Sequence, residues 1–183
     1  ENVGGVLLID ESYYEFCHFS VIDMVKSHPN LVVTRSMSKA FGLAGLKVGY
    51  MIAGEAVLEA FSSLELPLRP AKPGVYAATE ALKDTRYMQR NVALVTQERE
   101  RVSREVSDMG VEAYSSNTNF LLIDTHIPDA AKKLKELGVM VFDASRQLSS
   151  EFIRVSIGTR EENDLFLSSL KQIVGSGDMR GKL

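Results

Sequence analysis

Two β-branched runs, Leu31-Val32-Val33-Thr34 and Val48-Gly49-Tyr50-Met51-Ile52, are separated by a loop too short to contain a crossover helix. Parallel neighbours need a dozen or more connecting residues, usually helical, so the second run is expected to lie antiparallel to the first. Upstream, Gly5-Val6-Leu7-Leu8-Ile9 is a continuous apolar run, the pattern of a strand buried on both faces of a parallel sheet. Ser20 to Ser27 reads as a short helix with Ser20 as its N-cap and Asp23 three residues on, stopped by Pro29-Asn30. Strand, helix and strand in that order make a βαβ unit, which puts Asp10 and the loop beginning at Ser36 at one edge of the sheet. The expected sheet is therefore mixed.

Beyond it, Glu55 to Leu66 has apolar residues at helical spacing (Val57, Leu58, Phe61, Leu64). Pro67, Pro70, Pro73 and Gly74 form an irregular connection suited to shaping a cleft. From Val75 to Met109 the pattern is helical, broken near Asp84-Thr85, with Gln97 to Arg101 reading as a charged, solvated stretch, and Gly110 is a C-cap signal. A second composition follows. Strands are expected at Val111–Tyr114, Asn119–Asp124, Val139–Phe142 and Phe152–Ile157, and a helix at Asp129–Leu137 ended by Gly138. Thr159-Arg160-Glu161-Glu162 is a capping box opening a last helix to about Val174, and the tail from Gly175 to Leu183 reads as loose.

Composition excludes several classes. With 45% hydrophobic and 25% charged residues the chain is an ordinary globular sequence, and a net charge of −3 gives no case for nucleic acid or an anionic membrane. No apolar run is long enough to span a bilayer. The single cysteine, Cys17, fits a reducing, cytoplasmic compartment. His18, His28 and His126 stand apart in sequence, without metal-ligand spacing.

The chemistry concentrates in Ser36-Met37-Ser38-Lys39-Ala40-Phe41-Gly42-Leu43-Ala44-Gly45-Leu46-Lys47. A lysine flanked by small hydroxyl residues and followed by glycines can be partly desolvated, which lowers its pKa and suits it to imine formation. Ser36, Ser38 and Lys47 can gather around a phosphate. The commoner fate of such a lysine is an exposed loop, and of Asp10 a turn or helix cap. Together, Asp10, Tyr13, Ser36, Ser38, Lys39, Lys47 and Arg154 are the parts that a pyridoxal 5'-phosphate site requires. It needs a carboxylate for the ring nitrogen, a phenol for the ring oxygen, an amine for the imine, donors for the phosphate and an arginine fork for a substrate carboxylate. Two rival readings stand beside this one. Ser36-Met37-Ser38-Lys39 matches the Ser-x-x-Lys of penicillin-recognising acyl-enzymes, but no Lys-Thr-Gly follows and Gly42 and Gly45 oppose a long helix after the lysine. The other rival is a non-catalytic folded domain serving structure or a partner.

Three motifs, Asp10-Glu11-Ser12-Tyr13 to Phe16, Ser38 to Leu46, and Ile153 to Glu162, resemble in this order the histidinol-phosphate aminotransferases, of the class II group of fold-type I pyridoxal-phosphate enzymes. The resemblance covers nearly the whole chain. It implies an α/β fold: the C-terminal half of a mixed-sheet, cofactor-binding large domain over residues 1–90, a small α+β domain over 91–174, and the loose tail. It implies Lys39 as Schiff-base lysine, Asp10 at the pyridine nitrogen, Tyr13 at the ring oxygen, and Ser36 and Ser38 at the phosphate. Arg154 would hold the substrate carboxylate, and Asn119, in Asn117-Thr118-Asn119-Phe120, matches a small-domain motif that strand packing explains equally well. Lys47 stands where the family usually has an arginine, keeping the charge and losing the fork.

The implied activity is transfer of an amino group between an amino acid and a 2-oxo acid such as 2-oxoglutarate, in a cytoplasmic homodimer. One departure bears on substrate. Where the family has an arginine for the substrate phosphate, this chain reads Val139-Met140-Val141-Phe142-Asp143, with no arginine until Arg146. Either Arg146 from a shortened loop, or Lys72, supplies the charge, or the substrate carries no phosphate. Phe142 and Asp143 suit an apolar or cationic side chain better, which favours an aromatic or other unphosphorylated amino acid over histidinol phosphate. The resemblance also starts inside the cofactor domain, which leads to the expectation of a longer N-terminus in the intact protein and of little activity from these residues alone.

Overall fold

The structure, a computed structural model, describes residues 4–64 and 70–178. The chain divides into two compact units, Glu1–Val92 and Ala93–Leu183.

The first unit is built on a three-stranded sheet, β1 (Leu7–Asp10), β2 (Leu31–Ser36) and β3 (Gly49–Ala53), in that order across the sheet. β1 and β2 are parallel, in register from Leu7↔Leu31 to Asp10↔Thr34. β3 returns antiparallel to β2, from Val32↔Ala53 to Ser36↔Gly49, as the short connection requires. Gly49 is needed there: a Cβ would lie 2.7 Å from the carbonyl oxygen of Arg35. The β-branched residues of β2 make the core, with Leu31 and Val33 packed on Val25, Val21, Ile9 and Ile52. Burying such side chains contributes about 1.5–3 kcal/mol each.

Three expectations change here. β1 is not buried on both faces, for Val6, Leu7 and Leu8 are all exposed. It is the edge of the sheet within this unit, and an apolar run sets only the capacity for burial, which needs a neighbour on each face. The connection to β2 is not a regular helix from Ser20 to Ser27. It holds a short helix α1 (Tyr14–Cys17) and a 3₁₀ turn over Ile22–Lys26. Ser20 does accept from the Ile22 N–H (3.1 Å), but its hydroxyl is mainly given to Glu11. Helix α2 (Glu55–Ser62) is shorter than its periodicity predicts, and Leu66 and Pro67 lie outside the described residues. The break near Asp84-Thr85 is real: α3 (Lys72–Lys83) ends at Asp84 and α4 (Thr85–Asp108) begins directly after it.

The second unit packs the later part of α4 with α5 (Ala130–Glu136) and α6 (Arg160–Asp178) against an antiparallel sheet. Its strands β4 (Glu112–Ala113), β5 (Phe120–Asp124), β6 (Phe142–Asp143) and β7 (Phe152–Ser156) lie in the order β4-β5-β7-β6. Period-two alternation sends Leu121, Ile123, Ile153 and Val155 into the core against Val102, Val106, Leu134, Phe166 and Leu170. The same alternation turns Arg154 away from that core. Gly110 (φ 77°) and Gly138 (φ 84°) end their helices in the left-handed region, as expected. The capping box forms reciprocally: the Thr159 N–H donates to Glu162 Oε2 (2.8 Å) and the Glu162 N–H to Thr159 Oγ1 (3.3 Å). A Cβ on Gly158 would collide with that Glu162 side chain. α6 runs to Asp178, four residues beyond the expected Val174, and residues 179–183 of the expected loose tail lie outside the described residues.

The stretch Gln97–Arg101 is solvated only at Gln97 and Glu100. Glu98 and Arg101 are 14% and 15% exposed at the side chain and bonded at 2.6 Å. Arg101 also meets Glu105 and Asp164, and Glu98 also accepts from Arg160 and Asn163. Charges on α6 complement those on α4, so the pair is buried between helices. The Arg101 bonds hold the Glu98 carboxyl at about 2.

Candidate active site

In the first unit, the parallel register sets Asp10 opposite Thr34, and the ladder continues one step further as the Glu11 N–H donates to the Thr34 carbonyl (2.8 Å). The carboxyl ends of β1 and β2 thus deliver Asp10, Tyr13, Ser36, Ser38 and Lys39 to one edge, where ligands bind in open α/β sheets. Asp10 Oδ1 accepts from the Ser12 N–H (2.9 Å), the Ser12 hydroxyl (2.5 Å) and the Thr34 hydroxyl (3.4 Å). Those bonds orient the carboxylate and leave Oδ2 as an acceptor without a partner among the described residues.

The loop after β2 is held by its own backbone. The Met37 N–H donates to the Val48 carbonyl, the Leu43 N–H to the Met37 carbonyl, and the Gly42 N–H to the Lys39 carbonyl, with Gly42 at φ 71°. Met37 is fully buried beneath, which turns its neighbours Ser38 and Lys39 outward. Ser36 Oγ accepts from the Ser38 N–H (3.1 Å). Lys39 is exposed, not desolvated by the residues described, and its Nζ lies 5.8 Å from the centre of the Tyr13 ring. Lys47, also exposed, takes the left-handed conformation (φ 54°) at the end of a 3₁₀ turn. The donor set fits a phosphorylated pyridine aldehyde: an oriented carboxylate with a vacant lone pair for a ring N–H, hydroxyls and a cation for a phosphate, and an accessible primary amine.

Behind this edge lies a network that sequence reasoning missed. Arg35 and Glu11 form a buried pair at 3.0 Å, with side chains 12% and 5% exposed. Glu11 accepts from Arg35 Nε and Nη2, the Ser20 hydroxyl and the Val21 N–H. Burial pushes the Glu11 carboxyl up, but these bonds together hold it below its ordinary range. The guanidinium lies 3.6 Å from the centre of the Tyr14 ring. Each partner is the chain neighbour of a site residue, Glu11 of Asp10 and Arg35 of Ser36, so the pair clamps together the two strand ends that carry the site. Nearby Glu15 is buried with its Oε2 unpaired among the described residues, and burial raises its pKa.

In the second unit, Arg154 sits on β7 directly across from Phe142 on β6 and Leu122 on β5. Its guanidinium lies 4.3 Å from the Phe142 ring centre and 5.1 Å from that of Phe120, the diagonal neighbour. Two aromatic faces thus orient an exposed fork. Phe142, Arg154, Ser156 and Asn163 line a cavity of about 440 Å³. Asp143 is exposed and accepts from the Ser145 N–H (2.8 Å), and that bond holds it below its ordinary range. Asn119 is half-buried, and its carbonyl accepts from the Ile157 N–H (2.9 Å). Strand register also gathers Glu112, Asp124 and His126, whose potential ligand atoms lie within 4.8 Å of one another, so His126 is not the isolated residue its sequence spacing implies.

Residues 1–170 match the family described as aminotransferase class I and II. Histidinol-phosphate aminotransferase 2 of Archaeoglobus fulgidus is 37% identical over 169 residues, covering 91% of this chain and 49% of that protein. The histidinol-phosphate aminotransferase of Thermococcus gammatolerans is 36% identical over 175 residues, 96% of this chain and 49% of its own length. Among solved structures, the histidinol-phosphate aminotransferase of Sinorhizobium meliloti in complex with pyridoxal-5'-phosphate has a TM-score of 0.82 at 27% identity, over 93% of this chain and 49% of that one. The chain spans about half the length of the relatives it matches.

Proposed function

The chain belongs to the class I and II aminotransferases, and we propose that it carries the cofactor-anchoring and carboxylate-binding residues of a pyridoxal-phosphate-dependent transfer of an amino group between an amino acid and a 2-oxo acid such as 2-oxoglutarate. The observation that carries this reading is the register Asp10↔Thr34, which puts Asp10 beside the strand end that leads into Ser36, Ser38 and Lys39. Lys39 is the residue that holds the cofactor covalently. Asp10 accepts from its ring nitrogen, Tyr13 faces its ring oxygen, and Ser36, Ser38 and Lys47 hold its phosphate. When bound, the cofactor supplies an electron sink for the substrate α-carbon. Once the substrate amine has displaced it, the freed Lys39 amine would take and return the proton at that carbon. Arg154 pairs with the substrate carboxylate as a fork, and Asn119 borders the same substrate.

The relatives are named for histidinol phosphate, an amino-alcohol phosphate ester without a carboxylate, so with that substrate the carboxylate held by Arg154 belongs to the partner amino acid or 2-oxo acid. A second reading, an aromatic or other unphosphorylated amino acid, is favoured by Phe142 lying on Arg154. Turnover of the two side by side decides between them. The remaining parts of the proposal are a homodimer and a cytoplasmic location; no helix among the described residues is long and apolar enough to cross a membrane.

The test of the central assignment is chemical. Borohydride treatment of the protein with pyridoxal phosphate should fix the cofactor on Lys39, and Lys39→Ala should abolish the fixed adduct. An adduct mapped to another lysine refutes it.

A further inference from the structure

Arg99 and Arg101 lie one residue apart on α4 and live in opposite surroundings. Arg101 is surrounded by the carboxylates of Glu98, Glu105 and Asp164. Arg99 is more deeply buried, at 8% exposure, and has no carboxylate partner among the described residues. Its one side-chain hydrogen bond among the described residues runs from Nη1 to the main-chain carbonyl of Thr118 (2.7 Å). A guanidinium carries five N–H donors, and a buried charge without a counter-charge is costly. The remaining donors are not sealed off, because Arg99 lines a cavity of about 580 Å³.

Apart from Leu121 and Glu100, the other wall residues are donors as well. Ser103 and Ser107 follow Arg99 at four-residue steps along α4, Arg104 stands beside them, and Ser115, Ser116 and Asn117 close the far side. Ser116 is committed to Thr118 and Phe120, and Ser107 Oγ donates to the Ser103 carbonyl. The hydroxyls of Ser103 and Ser115 and the amide of Asn117 have no partner among the described residues. Glu100 is the only acid on the wall among the described residues, and it is exposed.

We propose that this cavity, between α4 and the Ser115–Asn117 turn, binds a small phosphate-class oxyanion, with Arg99 as its buried anchor. A tetrahedral dianion uses two arginines and several separate hydroxyl donors, whereas a single carboxylate is satisfied by one guanidinium fork. Its lining residues all belong to the second unit and none to the Ser36–Lys47 loop, so it stands whether or not the cofactor reading holds. Because Arg99 also ties down Thr118, an occupant steadies the segment that leads into Asn119 and Phe120.

The experiment is a titration of the full 183-residue chain with inorganic phosphate at constant ionic strength. Methyl phosphate and acetate are run in parallel, and binding is followed by calorimetry and residue-resolved NMR shifts. Saturable binding of phosphate or methyl phosphate, with shifts at Arg99, Ser103 and Ser115–Asn117, supports the site, and the two ligands separate a free ion from an ester. Arg99→Lys should weaken binding about tenfold by losing the fork. If that variant folds poorly, Arg104→Gln and Glu100→Gln, both at exposed positions, carry the test with opposite signs. The first should weaken binding by about threefold and the second strengthen it by a similar factor. No saturable binding, shifts confined to Ser36–Lys47, acetate binding as tightly as phosphate, or indifference to both exposed variants overturns the proposal.

Discussion

Replacing Arg35 by Met tests whether the clamp behind the site stabilises the first unit. Both charges are nearly out of water, and removing one partner of a buried pair typically costs about 3–5 kcal/mol, because the other is left uncompensated. Glu11 would keep the Ser20 hydroxyl and the Val21 N–H, which places the expected loss at the low end, about 3 kcal/mol. Loss of the guanidinium from the Tyr14 face is partly made up by the methionine sulfur. For a unit of this size, about 3 kcal/mol lowers Tm by roughly 12–24 °C. The assay is thermal and urea unfolding followed by circular dichroism, with Lys83→Ala as control. Its pair with Glu80 is exposed and worth at most about 0.5 kcal/mol. Arg35→Met combined with Glu11→Gln should cost clearly less than the two single changes added together, since the second removes the charge that the first strands. A loss below about 1 kcal/mol for Arg35→Met, or full additivity, refutes the reasoning.

Glu15→Gln should raise stability at neutral pH, since a buried carboxyl with an unpaired oxygen is replaced by a neutral group. Its folded pKa is raised, so the penalty is absent below the unfolded value and grows as pH rises through the folded one; Tm curves of variant and parent should therefore converge on acidification. Glu98 has the opposite sign. Its folded pKa is lowered to about 2, so its contribution is present above the unfolded value and lost as pH falls toward 2, and Glu98→Gln should flatten the acid limb of the second unit's unfolding profile. Thr159→Ala removes one half of the capping box and should cost about 1 kcal/mol by urea unfolding, while Thr159→Ser costs little.

Local patterns were enough for much of the fold. The short connection after Thr34 dictated an antiparallel β3, Asp84 ended α3, Gly110 and Gly138 ended their helices, and Thr159 with Glu162 opened α6. Each is decided by residues within a turn or two of one another, so it is written in the sequence at short range. The juxtaposition of Asp10 with the Ser36 loop was legible too, because a βαβ connection puts both strand ends on one edge. What the tertiary structure alone decided are matters of partnership. An apolar run does not say whether β1 has a neighbour on each face, and charged residues at Gln97–Arg101 do not say that Asp164, Arg160 and Asn163 will cover them. Nor does the order of residues show that Glu11 meets Arg35, or that Phe142 and Phe120 flank Arg154. Those contacts join residues distant in sequence, and they depend on strand register and helix packing, which are settled only when the whole core closes.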